Sequence, residues 1–342
     1  MPFPITEHVA RTQRHTSFYL ACGPTNGTPI IFVHGWPELS ISWRHQLPCF
    51  GSLGFRAIAP DMRGYGRSSI YSAHADYAIE HSVQDMLNLL DSLGTEKAIW
   101  VGHDWGSPVV WSLASHYPER CHGVANLCVP YIARGFAPVN FLALADRKLY
   151  PEEQFPAAQW EYMMFYQDNF AAACAGFEAN VGNTVKLLFR KGNPDASGTL
   201  SRTAFVRKNG GWFGPAGGAP DLPMDRDVLS ETDFHAYTAA LSRTGFFGPD
   251  SWYMNHDANV VFAATAKNNG RLTLPVLFLH AAYDATCETV VSRLAEPMRA
   301  DCTDLTETIV ASGHWMAQER PSAVNRGVAL WMAARFPTLW TV

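Results

Sequence analysis

Charge is scarce in this chain, and long apolar runs are missing. Charged residues make up 17% of the 342 positions, and 26 Lys and Arg against 31 Asp and Glu leave a formal net charge of -5. That mildly acidic balance gives no electrostatic reason to bind nucleic acid or an anionic membrane. No apolar run reaches the roughly 18–20 residues that a membrane span needs. The first residues, Met-Pro-Phe-Pro-Ile-Thr-Glu-His, lack the charged and apolar regions of a secretory signal. The last, Leu339-Trp340-Thr341-Val342, carry no retention or prenylation signal. Cysteines number seven: Cys22, Cys49, Cys121, Cys128, Cys174, Cys287 and Cys302. They are odd in number, widely spaced and free of any CxxC pair, which argues against a disulfide framework or a zinc site and predicts reduced thiols in a cytoplasmic protein.

What the chain has is apolar material, 47% of its residues, enough for a large α/β domain carrying an insertion. Short apolar runs ending in polar or glycine-rich residues read as buried strands at Ile30–Val33, Phe55–Ala59, Ala98–Val101, Gly123–Val129, Pro275–Leu279 and Leu305–Val310. Helical stretches such as Ser82–Leu93 and Pro108–His116 lie between them, and the alternation predicts a mostly parallel sheet with helices on both faces. From about Tyr131 to about Asn259 no buried strand is evident. That stretch holds an aromatic cluster (Trp160, Tyr162, Phe165, Tyr166, Phe170) and a Gly/Pro-rich loop, Asn209–Pro223. The expected organisation is a core of residues 1–130 and 260–342 interrupted by a mostly helical insertion, 131–259. Within it one helix is well punctuated, with Ser230 as N-cap, Glu231 and Asp233 in its first turn and Gly245 as its stop. Phe234, Tyr237 and Leu241 share one face of it.

The chemistry centres on Gly102-His103-Asp104-Trp105-Gly106-Ser107, which follows one strand and opens a helix. Small residues two before and two after a central residue permit a sharp strand-to-helix turn that lifts its side chain toward a cavity. With serine there, acyl transfer would follow. Aspartate changes the reaction, because a carboxylate attacks an sp³ carbon and leaves an alkyl ester. Such an ester must then be hydrolysed by an activated water, which calls for a base. Of 13 histidines, His314 in Ser312-Gly313-His314-Trp315 follows the last strand, and Asp284 in Ala282-Tyr283-Asp284 follows the strand before it. Both sit at carboxyl ends of parallel strands, where α/β sheets place their sites. The order nucleophile, acid, histidine is that of the nucleophile-elbow hydrolases.

A further motif, His34-Gly35-Trp36-Pro37 after the first of these strands, makes the likeness specific. From His34 to Pro321 the chain resembles the soluble epoxide hydrolase branch of the α/β-hydrolase fold. The resemblance implies that fold with a helical cap, and it makes Asp104, Asp284 and His314 the triad. The backbone N–H groups of Trp36 and Trp105 become an oxyanion hole, and Trp36–Pro37 a cis bond. It also implies two cap tyrosines that protonate the epoxide oxygen. Tyr162 matches the first, with Tyr166 one turn away as the alternative. Tyr237, upstream of Gly245-Phe246-Phe247-Gly248-Pro249, matches the second. Trp36, Trp105, Tyr162, Tyr237 and Trp315 would contact the substrate. No metal or organic cofactor is implied. The implied partner is a small apolar epoxide, bound by a monomer or homodimer without nucleic acid or a membrane span. Tryptophan at position 36, where the family often has phenylalanine, departs from the pattern and narrows the expected pocket. Gly64-Tyr65-Gly66 after a strand could suggest dinucleotide binding, but Ser69 holds the third glycine position, and the loop Asp61–Ser68 is read as structural. A haloalkane dehalogenase would share the aspartate but lack the tyrosine pair. A non-catalytic ligand-binding protein would leave these five residues without a common task.

Overall fold

The computed structural model describes residues 3–340. Its centre is one eight-stranded sheet: β1 (Thr6–Arg11), β2 (Thr16–Cys22), β3 (Pro29–Val33), β4 (Arg56–Pro60), β5 (Ala98–His103), β6 (Cys121–Leu127), β7 (Val276–Ala281) and β8 (Leu305–Val310). The order across the sheet is β1-β2-β4-β3-β5-β6-β7-β8. From β4 through β8 all neighbours are parallel. The first two strands pair antiparallel, β1 with β2 and β2 with β4. The fold is thus an α/β-hydrolase fold with a mostly parallel sheet.

Six of the eight strands are the apolar runs read from the sequence. The other two were not expected. β1 alternates exposed and half-buried residues as an edge strand does, so its sequence, Thr-Glu-His-Val-Ala-Arg, has no apolar run to find. β2 joins the sheet as its antiparallel neighbour, outside the strand-helix rhythm. The central strands β3 and β5 are buried along their whole length, as expected where both faces are covered. Helix Gly106–His116, which follows β5, packs on β5, β6 and helix Ile79–Ser92.

Between β6 and β7 the described residues form helices and turns but no named strand. The main helices are Glu161–Glu178, with non-helical backbone at Asn169, then Val181–Leu188 and Glu231–Thr244. The last carries a full capping box, in which the Ser230 hydroxyl accepts from Asp233 N–H and the Asp233 carboxylate accepts from Ser230 N–H. Helix His256–Ala263 runs across the boundary expected at residue 259. The loop Asp61–Ser68 is tied to its own carboxylate: Asp61 accepts from Ser40 N–H and Arg67 N–H at 2.9 Å each.

Candidate active site

Asp104 stands at the turn between β5 and helix Gly106–His116 with a φ of 49°, in the left-handed region. A non-glycine residue rarely holds that conformation, and here it lifts the carboxylate clear of the strand. Gly106 allows the helix to start tight against β3, since a Cβ there would lie 2.1 Å from the Val33 carbonyl oxygen. Gly35 allows the loop after β3 to close over the carboxylate, since its Cβ would come within 2.5 Å of Asp104 Oδ1. That closure brings Trp36 N–H to Asp104 Oδ1, to which it donates at 2.7 Å. Trp36–Pro37 is cis. Trp105 N lies on the same side, 2.5 Å from that added Cβ.

His314 and Asp284 arrive from the loops after β8 and β7. The Asp284 carboxylate is bonded to His314 Nδ1 at 2.6 Å, and His314 Nε2 faces Asp104 Oδ2 at 3.4 Å. Asp284 is fixed in turn by Thr286 N–H and Cys287 N–H, both donating to its Oδ1 at 3.0 Å. Burial by itself would depress His314, but the Asp284 carboxylate and the hydrogen bond to Asp104 outweigh it and hold the ring well above the ordinary histidine value. Burial would likewise raise Asp284, yet the facing imidazole holds it below the ordinary carboxylate value.

Beneath this triad lies a buried ion pair that the sequence reading missed. His103 Nδ1 is bonded to Glu38 Oε2 at 2.7 Å, and His103 Nε2 to the His314 carbonyl oxygen at 2.8 Å. Glu38 also accepts from Gly35 N–H and from Gln318 Nε2–H. One carboxylate and one imidazole thereby join the loops that carry Trp36, Asp104 and His314. Burial opposes both charges, but their mutual attraction wins, holding Glu38 at about 2 and His103 at about 10. The only signal in the sequence was the adjacency of His103 to Asp104. His103, Cys128 and His314 lie close enough to hold an ion. However, both His103 nitrogens are already engaged, and Cys128 Sγ–H donates to the His314 carbonyl oxygen.

The carboxylate opens into a cavity of about 160 Å³ whose walls include Trp36, Tyr162, Trp212, Tyr253, His314 and Trp315. A larger hollow of about 340 Å³ reaches Asp284 but contains neither Asp104 nor His314, so the smaller one is where chemistry can occur. Tyr162, on helix Glu161–Glu178, and Tyr253, in the turn Trp252–Met254, meet edge to face with ring centres 5.6 Å apart. Neither phenol hydrogen-bonds to a described residue, and burial, followed by neighbouring acidic groups, pushes both well above the ordinary tyrosine value. Each therefore keeps its proton, and both residues line the cavity.

Two expectations need correction. Tyr237 is not at the cavity. It is fully buried on the far side of Phe189, which stacks on Trp315, and its hydroxyl is bonded to Ser42 Oγ at 2.6 Å. The face it shares with Leu241 is a packing face. The residue at the cavity is Tyr253, downstream of the Gly245–Pro249 segment rather than upstream, and the Trp252-Tyr253 pair after that segment was the signal overlooked. The indole of Trp105 does not line the cavity either. It packs edge-on behind Tyr253 at 5.1 Å. Tyr166 is the outer neighbour of the site, stacked on Tyr253 at 4.5 Å with its hydroxyl buried.

The model of the alpha/beta hydrolase fold family matches residues 28–321. Epoxide hydrolase A of Mycobacterium tuberculosis (strain ATCC 25618 / H37Rv) is 31% identical over 325 residues, covering 94% of this chain and 95% of that protein. Bifunctional epoxide hydrolase 2 of Sus scrofa is 32% identical over 314 residues, 90% of this chain but 52% of its own length, so the chain spans about half of that relative. Among solved structures, epoxide hydrolase A from Mycobacterium thermoresistibile superposes with a TM-score of 0.78 at 28% identity, covering 96% of this chain and 98% of that one. With that family model matching most of the chain, and with a sharp turn at Asp104 after β5, an acid after β7 and a histidine after β8, the chain belongs to the α/β-hydrolase fold family. Within that family it belongs to the epoxide hydrolases, as its likeness to the M. tuberculosis protein over most of both chains shows.

Proposed function

We propose that the protein opens small apolar epoxides to vicinal diols through a covalent ester on Asp104. The observation that carries this reading is the opposition across one apolar cavity of a carboxylate and two unpartnered phenols. Asp104 Oδ1 is held by Trp36 N–H, which leaves Oδ2 as the attacking atom. As Oδ2 forms its bond to an epoxide carbon, the C–O bond of the ring breaks, and Tyr162 and Tyr253 hydrogen-bond the departing oxygen and supply its proton. The uncharged phenols serve better here than a cation would, because they do not pair with the nucleophile.

The ester removes the charge from Asp104, and with it one of the causes that hold His314 high. The ring then turns from hydrogen-bond donor into base. His314, oriented by Asp284, takes a proton from water, and the hydroxide adds to the ester carbonyl. Trp36 N–H and Trp105 N–H hold the resulting oxyanion. The bond between that carbon and the alkyl oxygen breaks, and the leaving oxygen takes the proton of the added hydroxyl so that the diol departs neutral. The proton on His314 returns to the phenoxide by way of solvent, and Asp104 keeps an oxygen from water. Residues 131–259 serve as a cap that supplies both tyrosines and most of the aromatic wall. No metal or organic cofactor enters the sequence of steps. The seven free cysteines suit a reducing cytoplasm.

The test is one turnover of an aryl epoxide by excess enzyme in ¹⁸O-labelled water, followed by mass spectrometry of diol and protein. Unlabelled diol with label in the Asp104 peptide is expected. Label in the diol from that first turnover would mean direct attack by water and would overturn the ester route.

A further inference from the structure

Behind the cavity wall lies a carboxyl group that the proposed reaction does not use. Asp250 is completely buried, in the short helix Phe247–Ser251. Its Oδ1 accepts from Trp36 Nε1–H at 2.8 Å, and its Oδ2 from Cys174 Sγ–H at 3.4 Å. These contacts join the three segments that build the site opposite the histidine. Trp36 belongs to the loop whose backbone N–H holds Asp104. Cys174 belongs to the helix that carries Tyr162. Asp250 itself stands three residues before Tyr253. The same helix grips Tyr253 once more, through Gln167 Nε2–H to the Tyr253 carbonyl oxygen.

We propose that Asp250 is a positioning residue that sets Tyr162 and Tyr253 at their working distance from Asp104. This inference rests on the ester reading above. Packing alone does not account for a carboxyl at this point, since an apolar residue of similar size would fill the space without the cost of burying a polar group. Burial pushes Asp250 up to about 8, with Glu178 pushing the same way against the hydrogen bonds from Trp36 and Cys174. What the place requires is an acceptor between an indole N–H and a thiol. The Trp36 indole is the pivot: it stacks on Trp212 and lies edge-on to Phe177 and Tyr253. Freed from Asp250, it can turn and carry both the cavity wall and the loop over Asp104 with it. Displacements on the scale of 1 Å are enough to slow a reaction between held groups by up to about a hundredfold.

The test compares D250L and D250N in the whole protein, following single-turnover ester formation with an aryl epoxide by mass spectrometry, alongside steady-state kcat and KM. D250L deletes the acceptor, and its ester formation is expected to slow by about tenfold or more, with kcat falling and KM nearly unchanged. D250N keeps an oxygen for the indole and is expected to stay within about threefold of the parent rate. Ester formation at the parent rate in folded D250L, or an equally large loss in folded D250N, would overturn the proposal. If D250L does not fold, W36F/D250L supplies the same readout without a stranded indole N–H. It too is expected to form ester slowly, and the parent rate in it would refute the positioning role. Failure of the ester reading itself looks different, because the unaltered protein would then form no ester at all.

Discussion

Two regions face each other across the cavity, and they are built on different principles. On one side Asp104, Asp284 and His314 hang from the ends of the parallel strands β5, β7 and β8, whose backbones are locked by the sheet with β6 between the first two, and the Glu38–His103 pair is fastened beneath them. On the other side Tyr162 and Tyr253 hang from helices and turns with no ladder behind them, held by stacked aromatics and by the buried carboxyl of Asp250. A strand end fixes a side chain by topology. A helix in an insertion fixes it only after its packing partners are in place. The strand-end side should therefore control whether the reaction occurs, and the aromatic side how fast the ring opens.

The largest effects are expected on the strand-end side. Asp104→Asn should abolish ester formation and lower turnover by about 10⁴-fold or more. His314→Gln should let the ester form and then stall, with its hydrolysis slowed by about 10²–10⁴-fold, so that intact-protein mass spectrometry shows a stable adduct. Next come the tyrosines. Tyr253→Phe and Tyr162→Phe should each slow ester formation by roughly 10²-fold while leaving hydrolysis of the ester nearly unchanged, whereas Tyr237→Phe should leave both steps within about twofold. A large loss in Tyr237→Phe with none in Tyr253→Phe would reverse the comparison.

A third test separates the sides by pH. His103 is raised from its ordinary 6.5 to about 10, so its contribution to stability is full below about 6.5 and is lost as pH rises through about 10. Glu38, lowered from 4.5 to about 2, contributes fully above about 4.5 and loses that contribution as pH falls through about 2. Denaturant titrations should therefore show stability declining from neutral pH toward pH 10. Glu38→Gln should flatten that slope, because it removes the charge that raises His103, and should destabilise the protein by about 3 kcal/mol. An unchanged slope would mean that His103 is not the group responsible. The smallest effect is the loss of the Tyr237 hydroxyl. Its bond to Ser42 is buried, so Tyr237→Phe should cost about 1 kcal/mol in chemical denaturation, even though activity stays the same.

Much of the strand-end side was legible in advance. The apolar runs that became β3 to β7 are continuous because their faces are covered, while β8 is a largely exposed edge strand, and a site residue at a strand end can be found by counting from the run. Asp104, Asp284 and His314 were each located in this way, and the structure brings them together. The tyrosines were harder. Tyr237 and Tyr253 flank the same Gly245–Pro249 segment, both are buried and both lie among aromatics, so nothing local distinguishes them. Their difference is tertiary: Tyr237 finds Ser42 and Phe189, while Tyr253 finds Tyr162 and the cavity. β1 and β2 escaped notice for a related reason, since an exposed edge strand and its antiparallel neighbour break the rhythm by which the others were read.

By itself, then, the sequence determined the order of the strands from β3 to β8, the sharp turn at Asp104 and the places of Asp284 and His314, because period and spacing act along the chain. Which tyrosine faces the carboxylate, which histidine braces the triad and why a buried aspartate sits behind Trp36 were decided only by the tertiary structure. Those contacts join residues far apart in the chain, as Trp36 and Asp250 are. A helix face becomes a wall or a core only when something packs against it.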